Sequence, residues 1–245
     1  MSPAIAPPAR VRPGSIGIMG GTFDPIHLGH LAIAEEAREA LGLARILFIP
    51  AAVPPHRPAG SVSPAEERAA MVGLAIEGNP AFELSRIEMD RPGPSFTSET
   101  VDALAATERA AGREPDLTFI LSAETLRQLP TWHEPERLLD ACRLAMVPRD
   151  GHPAPTRAWL RARFPGRDGR IDLLSGPRLA VSSTVIRERL AAGRSIRYLV
   201  PPAVERYIGD HGLYRAPGAA QPIARPRPRP RPAAQRPAPR RTSTR

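Results

Sequence analysis

The chain has 245 residues, 42% of them hydrophobic, which is enough to bury the core of one good-sized α/β domain or two small ones. All 34 basic residues are arginines, and the absence of lysine excludes a Walker A loop, a protein-kinase site and Schiff-base chemistry. The single cysteine, Cys142, excludes an intramolecular disulfide and no apolar run reaches the roughly 18 residues of a membrane span, so a cytoplasmic protein without membrane contact is expected.

The net charge of +9 is concentrated at the C-terminus. Residues 216–245 contain eight arginines and no acidic residue, which leaves +1 for the rest of the chain. Alternating Arg and Pro cannot bury a core, so a disordered tail is predicted over residues 215–245. Residues 1–14, rich in Pro and Ala and without the apolar centre of a signal peptide, are predicted to be a disordered extension. The folded domain is therefore expected over residues 15–214, with no specific nucleic-acid partner.

Residues 20–30, with the sequence GGTFDPIHLGH, combine the features of a phosphate site. They follow an apolar run, residues 15–19, that predicts a buried strand, and they lead into a predicted helix over residues 31–37. Glycines after a strand let the backbone approach a ligand, and a helix N-terminus directs free N–H groups at the same point. His27 and His30 are three residues apart, so both rings can face the bound anion from one side.

Residues 45–50 predict a second buried strand about thirty residues after the first. That spacing indicates a β-α-β unit with parallel strands and a right-handed crossover. The proline-rich loop over residues 51–63 leaves the carboxyl edge of this strand, where ligands bind in open parallel sheets. His56 and Arg57 could reach an anion from this loop, or could lie in solvent.

The remainder of the chain predicts alternating strands and helices, which is typical of an α/β fold. Strands are predicted over residues 82–89, 117–121, 143–147 and 171–174, and helices over residues 64–77, 101–111, around Trp159 and between residues 202 and 214. Ser63 is predicted to be the N-cap of the helix that begins at Pro64. Trp132, in a loop after a predicted strand, is either a core plug or a flat stacking partner for an aromatic ring.

Residues 181–190, with the sequence VSSTVIRERL, form a second candidate phosphate element. Three hydroxyl side chains precede the predicted helix, and Arg187 lies one turn later on the side that faces its N-terminus. Plain capping with a solvent-exposed arginine would explain the same residues. Together with residues 20–30, however, this element favours a nucleoside triphosphate, whose charges two helix N-termini and Arg187 would face from opposite sides.

Six motifs occur in one order along the chain. They are GGTFDPIHLGH at residues 20–30, PPHR at 54–57, PSFT at 94–97, PTW at 130–132, SSTVIR at 182–187 and YLVPP at 198–202. Over about residues 15–214 this set resembles the bacterial nicotinate-nucleotide adenylyltransferases of the nucleotidylyltransferase superfamily. The resemblance implies one Rossmann-like domain, a doubly wound parallel sheet with flanking helices.

The resemblance also implies an activity, in which the adenylyl group of ATP is joined to nicotinate mononucleotide, giving deamido-NAD and pyrophosphate. It implies catalytic roles for His27, His30 and Arg187, and a Mg²⁺ ion held mainly by the ATP phosphates rather than by protein ligands. The implied ATP-binding residues are Gly20, Gly21, Thr22, Phe23, His27, His30, Ser182, Ser183, Thr184 and Arg187. The implied mononucleotide-binding residues are His56, Arg57, Thr97, Glu124, Trp132 and His133.

One position departs from the family pattern, because Ser122-Ala123-Glu124 stands where Gly-Ala-Asp is usual, and Glu124 has a longer reach than Asp. A sister adenylyltransferase with nicotinamide mononucleotide or phosphopantetheine as acceptor is one alternative. A class I aminoacyl-tRNA synthetase would need a lysine in its second motif. A non-enzymatic nucleic-acid binder that uses the arginine-rich tail is the alternative from a different class. The protein could also form a homo-oligomer.

Overall fold

A computed structural model of the protein describes residues 7–58, 60–148, 154–176 and 179–215. The strands are β1 (Arg12–Gly21), β2 (Leu43–Pro50), β3 (Phe82–Leu84), β4 (Leu117–Ser122), β5 (Arg143–Val147) and β6 (Ile171–Leu173). They form one parallel sheet in the order β3-β2-β1-β4-β5-β6. From β1 the chain continues to β2 and β3 on one side of β1, and it then crosses to β4, which pairs with the other side of β1. This reversal of the strand order is the switch point at which doubly wound sheets bind ligands. The predicted α/β fold with a doubly wound parallel sheet is confirmed.

Helices cover both faces of this sheet. They are α1 (Leu28–Leu41), α2 (Ala65–Ile76), α3 (Thr97–Ala110), α4 (Ala123–Gln128), α5 (Pro135–Ala141), α6 (Arg157–Arg163), α7 (Ser183–Ala191) and α8 (Pro202–Asp210), with 3-10 turns at Leu129–Thr131 and Asp168–Arg170. Successive strand residues point to opposite faces, so one strand supplies two cores. Ile18 of β1 packs in the core with α3 to α6, and Met19 beside it packs in the core with α1, α2, α7 and α8.

Two strand boundaries differ from the prediction. β1 begins at Arg12 rather than at residue 15, because Arg12 pairs with Leu43 of β2 and its N–H donates to the carbonyl of Gly42 at 2.8 Å. Residues 12–14 therefore belong to the folded domain and not to the predicted disordered extension. β3 ends at Leu84 rather than at residue 89, because the chain turns after it. In this turn the carbonyl of Arg86 accepts from the N–H groups of Met89 and Asp90.

Three helix starts also differ from the prediction, and the first is that of α1, which begins at Leu28 rather than at residue 31. Pro64, not Ser63, is the N-cap residue of α2, and it makes no side-chain cap bond. Ser63 is held instead by its main chain, whose carbonyl accepts from Nε of Arg68 at 2.9 Å. α3 begins at Thr97, four residues earlier than predicted, so the PSFT motif runs directly into the helix. The predicted tail lies outside the described residues except for Arg215.

The predicted short helix around Trp159 is present as α6, and the predicted closing helix is present as α8. Within the described ranges, none of the helices combines the length and hydropathy that crossing a bilayer would require. The domain thus leaves one prominent feature to explain, the loops that gather at the carboxyl edge of the sheet.

Candidate active site

A cleft of about 710 Å³ opens at the carboxyl edge of the sheet, where the paths out of β1 and β4 diverge. Its walls come from the loops after β1, β2, β4 and β5 and from the starts of α1, α3, α4 and α7. All the predicted site residues line it: Gly20, Gly21, Thr22, Phe23, His27, His30, His56, Arg57, Thr97, Glu124, Trp132, His133, Ser182, Ser183, Thr184 and Arg187. The fold therefore brings together motifs that are up to 167 positions apart in the sequence.

The two histidines lie at the start of α1 as a stacked pair. Their ring centroids are 3.7 Å apart and their planes differ by 24°. The backbone N–H of His27 donates to Nδ1 of His30 at 3.2 Å. Because Nδ1 accepts, the neutral ring of His30 carries its proton on Nε2 and can donate a hydrogen bond from there. The geometry thus sets the tautomer and the orientation of His30.

Phe23 supports this pair from the core side. Its ring is 2% exposed and meets the ring of His30 edge-on, with centroids 5.1 Å apart. Its backbone has φ of 51°, a left-handed conformation that is costly for a bulky residue. Because the ring is buried, we expect any contact of Phe23 with ATP to be made by its main chain. That contact remains a prediction.

Arg68 of α2, which was not predicted from the sequence, ties the loop after β1 to the loop after β2. It is 1% exposed and donates to the carbonyls of Thr22 and Ala51, each at 2.7 Å. Burial lowers the pKa of Arg68, yet a guanidinium keeps its proton in a protein, so a buried cation lies beneath the loop. The available signal was an arginine among the otherwise apolar buried positions of α2.

The start of α7 is joined to the histidine loop. Ser182 caps α7 as predicted, since its Oγ accepts from the N–H of Val185 at 3.2 Å. Ser183 Oγ donates to the carbonyl of Pro25 at 2.9 Å, and Arg187 Nη1 donates to the carbonyl of Asp24 at 2.7 Å. These two bonds join the two candidate phosphate elements directly.

A second group of cleft residues, which we call the aromatic end, carries aromatic side chains. Trp132 is partly buried and meets Phe119 edge-on, with ring centroids 5.9 Å apart and an interplanar angle of 85°. His133 stacks on Phe96 of the PSFT motif at 4.2 Å and 17°. Trp132 packs on the core and also lines the cleft, and its role as a stacking partner remains a prediction.

The remaining candidates at this end lie on helix starts or on an exposed loop. Thr97 is the first residue of α3 and Glu124 is in the first turn of α4, so free N–H groups of two helices surround them. His56 and Arg57 are exposed on the loop after β2. The structure brings them to the cleft, and their contacts with a ligand remain predictions.

Glu88, a buried carboxyl group at the same end, was missed at the sequence level. It is 7% exposed, and the hydroxyl of Thr100 donates to its Oε1 at 2.7 Å. Burial raises the pKa of Glu88, while hydrogen bonds from Thr100 and Ser95 act against the rise. Ser95 in turn accepts from the N–H of Ala52 at 2.9 Å, so this group connects the PSFT motif to the loop after β2. Because a strand was predicted through residue 89, the turn that contains Glu88 was not predicted.

Within the described residues, no group of three or more His, Cys, Asp or Glu side chains is placed to hold a metal ion. The histidine pair alone provides two of the three or four ligands that a zinc site needs. The chemistry of the cleft therefore has to be read from its hydrogen-bond donors, its helix N-termini and Arg187.

Fold and cleft together define a class: an α/β protein that holds a phosphorylated nucleotide at the switch point of a parallel sheet. Comparison with known proteins narrows this class. The sequence profile of cytidylyltransferase-like proteins matches residues 18–189. A probable nicotinate-nucleotide adenylyltransferase of Roseiflexus sp. (strain RS-1) is 50% identical over 200 residues, which are 82% of this chain and 98% of the relative. One from Thermomicrobium roseum is 42% identical over 211 residues, 86% of this chain and 96% of the relative.

The chain therefore belongs to the nicotinate-nucleotide adenylyltransferase family of the cytidylyltransferase-like proteins, and the predicted resemblance is confirmed. Its fold is similar to that of the Plasmodium falciparum nicotinic acid mononucleotide adenylyltransferase complexed with NaAD. The TM-score is 0.68 at 19% identity, over 82% of this chain and 97% of the other. At that identity the likeness supports the fold alone.

Proposed function

We infer that this protein joins the adenylyl group of ATP to nicotinate mononucleotide, forming deamido-NAD and releasing pyrophosphate. The observation that carries the inference is the convergence of His27, His30 and Arg187 on one cleft, fastened by the bond from Arg187 to the carbonyl of Asp24 at 2.7 Å. Family membership and the aromatic end of the cleft, with Trp132 and His133, support the same reaction.

The triphosphate of ATP would lie between the starts of α1 and α7. Backbone N–H groups after Gly20 and Gly21, together with the hydroxyls of Thr22, Ser183 and Thr184, would bind phosphate oxygens. Arg187 would pair with the β- and γ-phosphates, since a guanidinium can donate two parallel hydrogen bonds to one phosphate. Two positive helix ends and one cation then oppose the negative charge of the nucleotide.

In the reaction, a phosphate oxygen of nicotinate mononucleotide attacks the α-phosphorus of ATP, and the bond to the β-phosphoryl oxygen breaks. The electron pair of that bond leaves with pyrophosphate. Such a transfer needs positioning and charge stabilisation more than covalent help from the protein. His30 would donate from Nε2 to oxygens around the α-phosphorus, and His27 would act beside it as its stacked partner.

The acceptor would bind at the aromatic end. Trp132 would stack on the pyridine ring, while His56 and Arg57 on the exposed loop would approach its phosphate. Backbone N–H groups near Thr97 and His133 would read the nicotinate carboxylate. A site that pairs buried donors with a carboxylate discriminates against the uncharged amide, whose NH₂ would leave a donor facing a donor.

Mg²⁺ would enter with ATP, with phosphate oxygens as its main ligands, because the described residues do not form a protein-held metal site. Its chemistry would be neutralisation of the phosphate charge. We place the reaction in the cytoplasm, in keeping with one free and buried thiol, whose pKa burial raises to about 12. A homo-oligomer remains a prediction that sedimentation would test.

The test is an assay of the full chain with Mg²⁺ and ATP against three acceptors in parallel. Nicotinate mononucleotide should give pyrophosphate and deamido-NAD with the highest kcat/KM. Faster turnover of nicotinamide mononucleotide or phosphopantetheine would assign the protein to a sister activity. Absence of pyrophosphate release with all three would overturn the proposal.

A further inference from the structure

Tyr214 lies beyond the last helix, outside the cleft lining, and yet it contacts the loop that carries the histidines. Its hydroxyl donates to Oδ1 of Asp24 at 2.6 Å across 190 positions of sequence. Asp24 is 4% exposed, so the hydrogen bond is made to a buried carboxylate. The Tyr214 ring packs on the core that contains Phe23, which fixes the hydroxyl in place.

Asp24 is the point at which several parts of the site meet. Its Oδ2 accepts from the N–H of Ser63 at 3.4 Å, and its carbonyl accepts from Arg187 at 2.7 Å. The guanidinium of Arg187 is therefore bonded to the main-chain carbonyl of Asp24 and not to its carboxylate. Arg68, the other cation that interacts with Asp24, is already bonded to the carbonyls of Ser63, Thr22 and Ala51. Arg187 is therefore the cation that would be expected to pair with the carboxylate if the carboxylate lacked other donors.

Tyr214 supplies such a donor. Burial and the hydrogen bond to Asp24 raise the pKa of Tyr214, so the hydroxyl keeps its proton at neutral pH, although the charge of Arg187 acts in the opposite direction. The hydroxyl of Tyr214 and the guanidinium of Arg187 both bond to Asp24, the first to its carboxylate and the second to its carbonyl. Tyr214 has φ of 62°, a left-handed conformation that costs free energy in a bulky residue and persists only where its surroundings impose it.

We propose that Tyr214 is a positioning residue for ATP. Its hydroxyl donates a hydrogen bond to the carboxylate of Asp24, and this bond leaves the guanidinium of Arg187 available to the triphosphate. Without the hydroxyl, Arg187 would turn onto the carboxylate of Asp24. The triphosphate would then lose its cation at the start of α7. This inference rests on the proposed adenylyl transfer and concerns the ATP end only.

The test compares Tyr214→Phe with Tyr207→Phe in the full chain. Tyr207 is a matched control because its hydroxyl also donates to a carboxylate, that of Glu67 in α2, at 2.8 Å, and neither tyrosine lines the cleft. Tyr214→Phe should lower kcat/KM for ATP about tenfold or more, with the KM for nicotinate mononucleotide within about twofold of wild type. Tyr207→Phe should leave both parameters within about twofold of wild type.

A double-mutant cycle with Asp24→Asn separates positioning from stability. The neutral amide cannot capture Arg187 as an ion pair, so Asp24→Asn/Tyr214→Phe should match Asp24→Asn in its ATP kinetics, and the two substitutions should be non-additive. Strictly additive losses would overturn the proposal, as would a Tyr214→Phe enzyme that melts at a lower temperature but has wild-type ATP kinetics. If Tyr214→Phe alone does not fold, the comparison of the double variant with Asp24→Asn still decides. A wild-type chain without activity would instead defeat the proposed function.

Discussion

The two ends of the cleft are built in different ways. At the end where we propose that ATP binds, His27 and Asp24 are each 4% exposed and Arg68 is 1% exposed. Arg68 donates to the carbonyls of Thr22 and Ala51, and the carboxylate of Asp24 accepts from Tyr214 and from the N–H of Ser63. At the proposed acceptor end His56, Arg57 and His133 are exposed, His133 stacks on Phe96 and Trp132 meets Phe119. The buried carboxyl group at this end, Glu88, is bonded to Thr100.

This difference indicates a division of labour. A buried hydrogen-bond network keeps its donors in one geometry, as transition-state stabilisation requires, because nothing has to reorganise when charge develops. Exposed side chains and ring contacts order on binding and contribute mainly to affinity and to the choice of partner. We therefore expect substitutions at the ATP end to lower kcat, and substitutions at the acceptor end to raise the KM for the mononucleotide.

The largest effect should come from His30→Ala. Loss of one preorganised donor to the transition state should lower kcat by roughly 10² to 10³, about 3 to 4 kcal/mol. Steady-state assays with both substrates saturating would measure it. His211→Ala is the matched control, since His211 is exposed and stacks on Tyr207 outside the cleft. A His30→Ala enzyme with kcat within about twofold of wild type would remove His30 from the reaction and end the proposed division.

The next effect should be on binding alone. Trp132→Ala should raise the KM for nicotinate mononucleotide about 5- to 150-fold. This factor corresponds to the loss of about 1 to 3 kcal/mol of binding free energy from stacking on an aromatic ring. The KM for ATP should change little. Trp159, the other tryptophan, packs on Phe164 away from the cleft, so Trp159→Ala controls for the loss of an indole. A change confined to the ATP parameters would contradict the assignment of Trp132 to the acceptor.

The smallest effect concerns stability at the acceptor end. The pKa of Glu88 is raised by burial above its ordinary value of 4.5, so its protonated form is favoured in the folded state. The resulting stabilisation is fully present below the ordinary value and is lost as the pH rises through the raised one. Thr100, Ser95 and Arg91 face this carboxyl group. Glu88→Gln removes the titration, so wild type should lose stability relative to this variant as the pH rises above the ordinary value of 4.5 and through the raised pKa.

Urea denaturation at several pH values would measure this difference, with Glu77→Gln, at an exposed position, as the control for losing one carboxylate. A free-energy difference between wild type and Glu88→Gln that is constant with pH would show that Glu88 has no raised pKa. The ionised group would then be stabilised by its hydrogen bonds, and the acceptor end would resemble the ATP end more closely than we propose.

Local features of the site were predictable because short-range chemistry determines them. Hydroxyl residues before a helix predicted the cap at Ser182, which α7 confirms. Glycines at the end of an apolar strand predicted that Gly20 and Gly21 lie at the site, and both line the cleft. The wrong boundaries had nonlocal causes. β1 extends to Arg12 because Arg12 pairs with Leu43 of β2. Ser63 is not the N-cap of α2, and its carbonyl instead accepts a hydrogen bond from Arg68.

By itself the sequence determined the order of the six strands, the positions of the two candidate phosphate elements and the family, because periodicity, caps and motifs depend on neighbouring residues. The helices α4 and α5 were not predicted. Only the tertiary structure decided what supports the site. Arg68 meets Thr22 across 46 positions and Tyr214 meets Asp24 across 190, and no local pattern marks either contact. A buried polar group must find partners wherever the fold places them, so such partners are properties of the packed chain and not of any one segment.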